Sequence, residues 1–153
     1  MQLMSNPDDH LERSLGFLLA DTSRLMRLEF DARARELDLT RAQWRVLAQL
    51  RRREGINQSA LAEILEIENM TLARHIDRLA EKGWVERRAD PDDRRKWRLF
   101  LKAEVKPVLA HMRQISLTIR QEVMAGIAPA DADAFIDTLL RIKGNLLERR
   151  RDR

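Results

Sequence analysis

Asn57-Gln58-Ser59-Ala60-Leu61-Ala62-Glu63-Ile64-Leu65, then Glu66-Ile67-Glu68, then Asn69 to Lys82 closed by Gly83: this stretch decides the fold. Asn57 is a favoured helix cap, so the residues after it read as a short helix. The break at 66–68 reads as a turn, and 69–82 as a second, amphipathic helix. Next come Trp84-Val85-Glu86-Arg87-Arg88, a tip Ala89-Asp90-Pro91-Asp92-Asp93-Arg94-Arg95, and a return run from Lys96 to Leu101. Helix, tight turn, helix and a basic-tipped hairpin outline a winged helix-turn-helix, a DNA-reading unit.

At 3.6 residues per turn, Leu72, Ile76 and Leu79 fall on one face of the second helix and require a core. Met70, Arg74, Asp77 and Glu81 point the opposite way, flanked by Thr71, Ala73 and Arg78. Small or long-armed residues at the amino end of that outer face suit a major groove and its base edges. Taken alone, the helix fits an ordinary solvated surface equally well. The hairpin shifts the balance. Arg87, Arg88, Arg94, Arg95, Lys96 and Arg98 crowd two short strands and their tip, and a narrow arginine-bearing loop suits the negative potential of a minor groove. Charge on an edge strand can instead block aggregation, but that use favours Lys. It leaves Asp-Arg-Arg at the tip unexplained.

Several segments together resemble MarR-type transcriptional regulators, and the SlyA-like branch in particular. They are Leu39-Thr40-Arg41-Ala42-Gln43-Trp44-Arg45-Val46-Leu47, Leu61-Ala62-Glu63, Arg74 to Arg87, and Asp90-Pro91-Asp92-Asp93-Arg94-Arg95. The likeness spans Leu11 to Leu147, and D-x-x-D-R-R downstream of L-x-x-K-G-x-x-x-R is its most specific part. It implies a mainly α fold with a small β-hairpin wing. In relatives the residues matching Arg74 and Arg94 touch DNA. They also often lose DNA affinity on binding small aromatic acids, in a region that here corresponds to Arg24, Arg27 and Trp44. Trp44 also fits a plain core position, and Asp21 stands where close relatives carry a further basic residue.

Length and composition agree with this outline. The 153 residues, 44% hydrophobic and 35% charged, suit one soluble domain with added arms. Net charge is only +4, so attraction to phosphate has to be local. With no cysteine there is no disulfide, thiolate metal site or peroxide-sensing thiol. No signal peptide and no long apolar run stand out, which points to a cytoplasmic protein without membrane contact. His10, His75 and His111 are too scattered for a metal site, and His75 reads as a surface residue. We expect no metal and no cofactor.

On the amino side, Asp8 or Asp9 is expected to cap a first helix running to about Glu36, after a loose leader over Met1–Pro7. Its stripe includes Leu11, Leu15, Leu18, Leu25, Met26 and Phe30. Thr40-Arg41-Ala42-Gln43 reads as a capping box opening the next helix. Arg51-Arg52-Arg53 closes that helix with cations suited to its dipole, a simpler account than contact with DNA backbone. Leu61, Ile64 and Leu65 are expected to seal the short helix against the reading helix, with Ile67 plugging the turn. Glu68 replaces the Ser or Thr cap expected there.

On the carboxyl side, a helix over Ala103–Ala125 carries Val108, Met112, Ile115, Ile119 and Val123. Gly126 breaks it and Pro129 starts the last one, with Phe135, Ile136, Leu139, Leu140, Leu146 and Leu147 on its apolar face. The expected division is a dimerisation arm over 1–36, the winged helix-turn-helix over 37–102, and dimerisation helices over 103–153. Such apolar ends exceed what one small domain covers, so they suit an interleaved homodimer better than a cap folded back on its own chain.

A dimer sets two reading helices roughly 34 Å apart, so the target is a near-palindromic duplex. Asn69, Met70, Thr71 and Arg74 are the base-edge candidates, Arg94 the minor-groove probe, and Asp93 the group expected to hold Arg94 extended. Arg78, Arg87 and Arg95 are expected at phosphate. The leading reading is a dimeric, sequence-specific transcriptional regulator, a repressor or anti-repressor. The second is a winged-helix module that docks on protein without touching DNA. An enzyme or carrier lacks any catalytic constellation.

Overall fold

Thr40 shows how directly local chemistry sets this chain. Its hydroxyl accepts from Gln43 N–H at 3.2 Å while the Gln43 side chain accepts from Thr40 N–H at 3.2 Å, the expected capping box. The computed structural model describes residues 11–153, so the proposed leader and the cap at Asp8 or Asp9 lie outside the described residues. The first full helix, α1 (Leu15–Ala34), is shorter than expected. The chain is helical at Leu11–Glu12 but breaks at Arg13–Ser14, where Ser14 is extended, and a 3-10 turn at Arg35–Leu37 follows α1.

Three helices then build the reading unit: α2 (Arg41–Arg52), α3 (Gln58–Leu65) and α4 (Asn69–Glu81). Asn57 caps α3 by accepting from Ser59 N–H at 2.9 Å. Glu66, left-handed at φ 56°, closes α3, and Ile67 N–H donates to Ala62 C=O at 3.1 Å, satisfying a carbonyl that helix ends leave free. Gly83, at φ 74°, does the same for α4, with Trp84 N–H on Leu79 C=O. A side chain there would resist the left-handed conformation.

The wing is an antiparallel pair, β1 (Val85–Ala89) and β2 (Trp97–Leu101), in register Val85 to Leu101, Arg87 to Leu99 and Ala89 to Trp97. The link between α2 and α3 lies along the other edge of β2. Gly55 N–H bonds Leu99 C=O at 2.8 Å, Leu99 N–H bonds Ile56 C=O at 3.0 Å, and Asn57 bridges Arg98. A Cβ on Gly55 would meet the Phe100 ring at 3.4 Å, on a backbone already at φ 84°.

Leu47, Leu50, Leu61, Leu72, Ile76, Leu79, Val85 and Leu99 are fully buried and join α2, α3, α4 and both strands. Each such side chain contributes about 1.5–3 kcal/mol relative to exposure. Ile64 does not belong to this seal. It is exposed, and Leu61, Ala62 and Leu65 form the buried face of α3 instead.

A 3-10 turn at Ala103–Val105 leads into α5 (Lys106–Val123), and α6 (Pro129–Arg151) follows a break at Gly126, φ 79°. The described chain divides into two compact units between Ser116 and Leu117, within α5. Met112, Ile115 and Ile119 are buried, whereas α6 has no buried residue at all. Among the described residues, no helix is long and apolar enough to cross a membrane.

Candidate nucleic-acid interface

The outer face of α4 is open. Asn69, Met70, Thr71, Arg74 and Arg78 are all exposed, Met70 at 69%, above the buried row Leu72, Ile76 and Leu79. Glu68 holds the extended cap conformation but makes no side-chain bond to the first turn. The start of α4 is tied to α3 instead, by Asn69 Nδ2 on Ser59 Oγ at 3.4 Å. Arg74 and Arg78 have no hydrogen-bond or ion-pair partner among the described residues.

The wing tip is braced by its two aspartates. Asp90, nearly buried, accepts from Asp92 N–H at 2.9 Å and from Arg98 Nε at 3.1 Å. The Asp92 amide first, and Arg98 second, hold its carboxyl below the usual carboxylate range. Asp93 was expected to extend Arg94, but it pairs with Arg95. It accepts from Arg95 Nε at 3.1 Å and Arg95 N–H at 3.0 Å, which lower its pKa in that order. Binding its own residue-plus-two amide is the ordinary preference of an aspartate in a turn. Arg94 is left exposed at the tip with no partner among the described residues.

Arg87, expected at phosphate, is occupied inside the protein. Its guanidinium donates to Gln58 Oε1 at 3.0 Å, Asp77 Oδ1 at 2.6 Å and Ala73 C=O at 3.0 Å. Arg88 lies on the other face of the hairpin, bonded to Glu86 and stacked 3.9 Å from the Phe100 ring centre. The roles of Gln58 and Asp77 were not legible beforehand, because the bonds to Arg87 span 29 and 10 residues. Only the position of Asp77 on the outer face hinted at one.

Arg51 to Arg53 lie at the far end of β2 from the tip. Glu54 accepts from Leu101 N–H at 3.0 Å, and the chain runs along β2 toward Asn57 and Arg98. Arg53 donates to Gln49 at 2.6 Å within α2, in keeping with the helix-end account. His75 corrects another expectation, since its Nδ1 is buried with no hydrogen-bond partner among the described residues. Burial first, and the nearby Arg78 charge second, lower its pKa. Among the described residues no group of three or more side chains is arranged to hold a metal.

Of the residues tied to an effector, Arg27 and Trp44 share a cavity of about 130 Å³ with Phe30, Asp31 and Arg45, while Arg24 does not line it. Trp44 is buried, its ring centre 5.8 Å from that of Phe30, so it serves the core as well as the cavity wall. Arg27 already donates to Ser23 Oγ at 3.0 Å, and Arg45 to Leu65 C=O at 3.1 Å.

Comparison with known proteins matches residues 39–97 to the MarR family. Those residues contain α2, α3, α4, β1 and the wing tip. The solved transcriptional regulator PA3341 is 37% identical, covering 87% of this chain and 98% of its own, with a TM-score of 0.75. The chain belongs to the MarR family. A MarR transcriptional regulator from Methanosarcina mazei Go1 is 25% identical, over 88% of this chain and 96% of its own, with a TM-score of 0.77. The transcriptional regulator SlyA is also 25% identical, over 88% and 95%, with a TM-score of 0.66. This MarR-family chain thus has the winged-helix fold expected from its central stretch.

Proposed function

We propose that this MarR-family protein is a dimeric, sequence-specific double-stranded-DNA-binding transcriptional regulator, a repressor or anti-repressor working in the cytoplasm. One observation carries the reading. Among a crowd of paired arginines, Arg74 on α4 and Arg94 at the wing tip are exposed and have no partner among the described residues, while Arg87, Arg88, Arg95 and Arg98 each have a carboxylate. Desolvating an already paired guanidinium gains little, whereas an unpaired one is free to meet an acceptor on DNA. In this reading Asn69, Met70, Thr71 and Arg74 meet base edges, and Arg94 enters the minor groove. Arg78 meets phosphate, as does Arg95, which keeps most of its surface in solvent beside Asp93.

The exposed apolar faces of α1 and α6 support pairing of two copies, which sets two reading helices on a near-palindromic duplex. The cavity at Trp44 supports an effector no larger than one aromatic ring. It is smaller than ordinary ligand pockets, yet an engineered cavity of about 150 Å³ accepts benzene. Arg27 is the cation placed to meet a carboxylate there. Placement in the SlyA-like branch rests on the sequence segments that carry the likeness, since SlyA is no more similar in identity than the Methanosarcina mazei regulator.

The test is selection of duplexes from a random-sequence library by the wild-type protein, followed by gel shifts of the selected site at rising salt. A palindromic consensus and steeply salt-dependent affinity are expected. Arg94→Ala should weaken binding by about 1–3 kcal/mol while leaving the dimer intact. Failure to enrich any sequence, or salt-insensitive binding, would favour the protein-docking alternative.

A further inference from the structure

One side chain on the outer surface of the reading unit ties three of its elements together. Arg87, on β1, donates through Nε to Gln58, the first residue of α3, through Nη1 to the Asp77 carboxylate on α4, and through Nη2 to the Ala73 carbonyl on α4. Its side chain is 23% exposed, that of Asp77 58%. The bracket falls at a particular place along the wing. Val85 and Leu99 anchor the base of the hairpin in the core. Beyond Arg87 toward the tip, the wing's side-chain bonds are its own, Asp90 with Arg98 and Asp93 with Arg95. A two-stranded hairpin is marginal by itself; here the Gly55–Asn57 backbone holds the edge of β2 at that level, and Arg87 is the side-chain tie from β1 to α4.

We infer that Arg87 is a positioning residue: clamped to Asp77, Ala73 and Gln58, it fixes the angle between wing and reading helix and so sets the spacing at which Arg74 and Arg94 meet adjacent grooves. The inference rests on the DNA-binding reading above and extends it, because Arg87 then acts without touching DNA. A planar guanidinium can serve three acceptors in one fixed geometry, and a lysine ammonium cannot reproduce that fork.

Two substitutions separate positioning from charge. Arg87→Lys keeps the cation, so a phosphate contact would survive it. Asp77→Asn removes an anion from the proposed DNA face, so simple electrostatics would strengthen binding. Positioning makes both weaken it, each on the order of tenfold, the scale of losing one charge-assisted hydrogen bond. The dimer, the thermal transition and the salt slope should stay near wild type.

The closing experiment is a double-mutant cycle on the duplex that the wild-type protein selects from a random library, combining Arg87→Lys with Arg94→Ala. With the tip arginine gone the wing has little left to aim, so the two losses should fall well short of additive. Dimethyl sulfate footprints of Arg87→Lys should keep protection of guanine N7 in the major groove and lose protection of adenine N3 in the flanking minor groove. Additive losses, tighter binding by Asp77→Asn, or an unchanged footprint would each overturn the positioning role. If the wild-type protein selects no duplex, it is the DNA-binding reading itself that fails.

Discussion

Two helices of this chain carry apolar side chains at helical spacing that meet opposite fates. In α4, Leu72, Ile76 and Leu79 are fully buried. In α6, twenty-three residues long, nothing is buried, and Phe135, Leu140 and Leu146 are each more than half exposed. The same contrast separates α2, with five buried residues, from α1, with one. An apolar face on a helix states that something must cover it, without saying whether the cover comes from the same chain. The reading unit supplies its own core. The terminal helices are the part of the molecule proposed to be completed by a second copy.

Breaking that comparison at its weaker end should give the largest effect. Leu140→Glu with Leu146→Glu puts charge on the face proposed to pair, and should convert the dimer to monomer by light scattering. Losing one of two linked reading heads should lower apparent DNA affinity about 10²–10⁴-fold. A variant that remains a dimer would show that α6 is covered by other means. At the stronger end, Leu72→Ala removes a fully buried side chain from beneath the reading helix. Urea unfolding should show a loss of about 2–5 kcal/mol. A cost near that of an exposed position would mean that the reading unit is not anchored as its burial implies.

The contrast also marks what could be read in advance. The capping box at Thr40, the cap at Asn57, the turn glycines and the row Leu72, Ile76, Leu79 are local patterns, and all are found where periodicity and capping chemistry put them. What escaped depends on distant partners. Arg87 looked like any wing arginine until the fold brought Gln58 and Asp77 to it. Asp93 had two arginines beside it, and turn geometry, not charge, decided for Arg95. The break at Ser14 carries no sequence signal that we recognise.

Within the reading unit, a finer comparison separates the exposed start of α4 from its buried row. Thr71 is exposed one residue before Leu72, so Thr71→Ala should leave urea unfolding near wild type. If its methyl or hydroxyl meets a base edge, the selected consensus should relax at one position per half-site, at a cost of about 1–3 kcal/mol. An identical consensus from the variant would remove Thr71 from the contact set.

The smallest effect expected is confined to one ring on the flank of α4. His75 Nδ1 is buried with no hydrogen-bond partner among the described residues and Arg78 lies nearby, so burial and then charge make the imidazolium less favourable in the folded chain. Its folded pKa therefore lies below the unfolded value of about 6.5. Above that pH both states are neutral at this ring and its contribution is constant. As pH falls through about 6.5 the unfolded chain takes up the proton first, so stability declines until the folded pKa is reached and levels off below it. Asp90 and Asp93, shifted downward from an already acidic value, do not titrate in that interval. Thermal unfolding of wild type should thus lose stability on acidification from neutral pH, and His75→Leu should flatten that slope. A variant as pH-sensitive as wild type would place the proton elsewhere and leave His75 a packing residue of the reading helix.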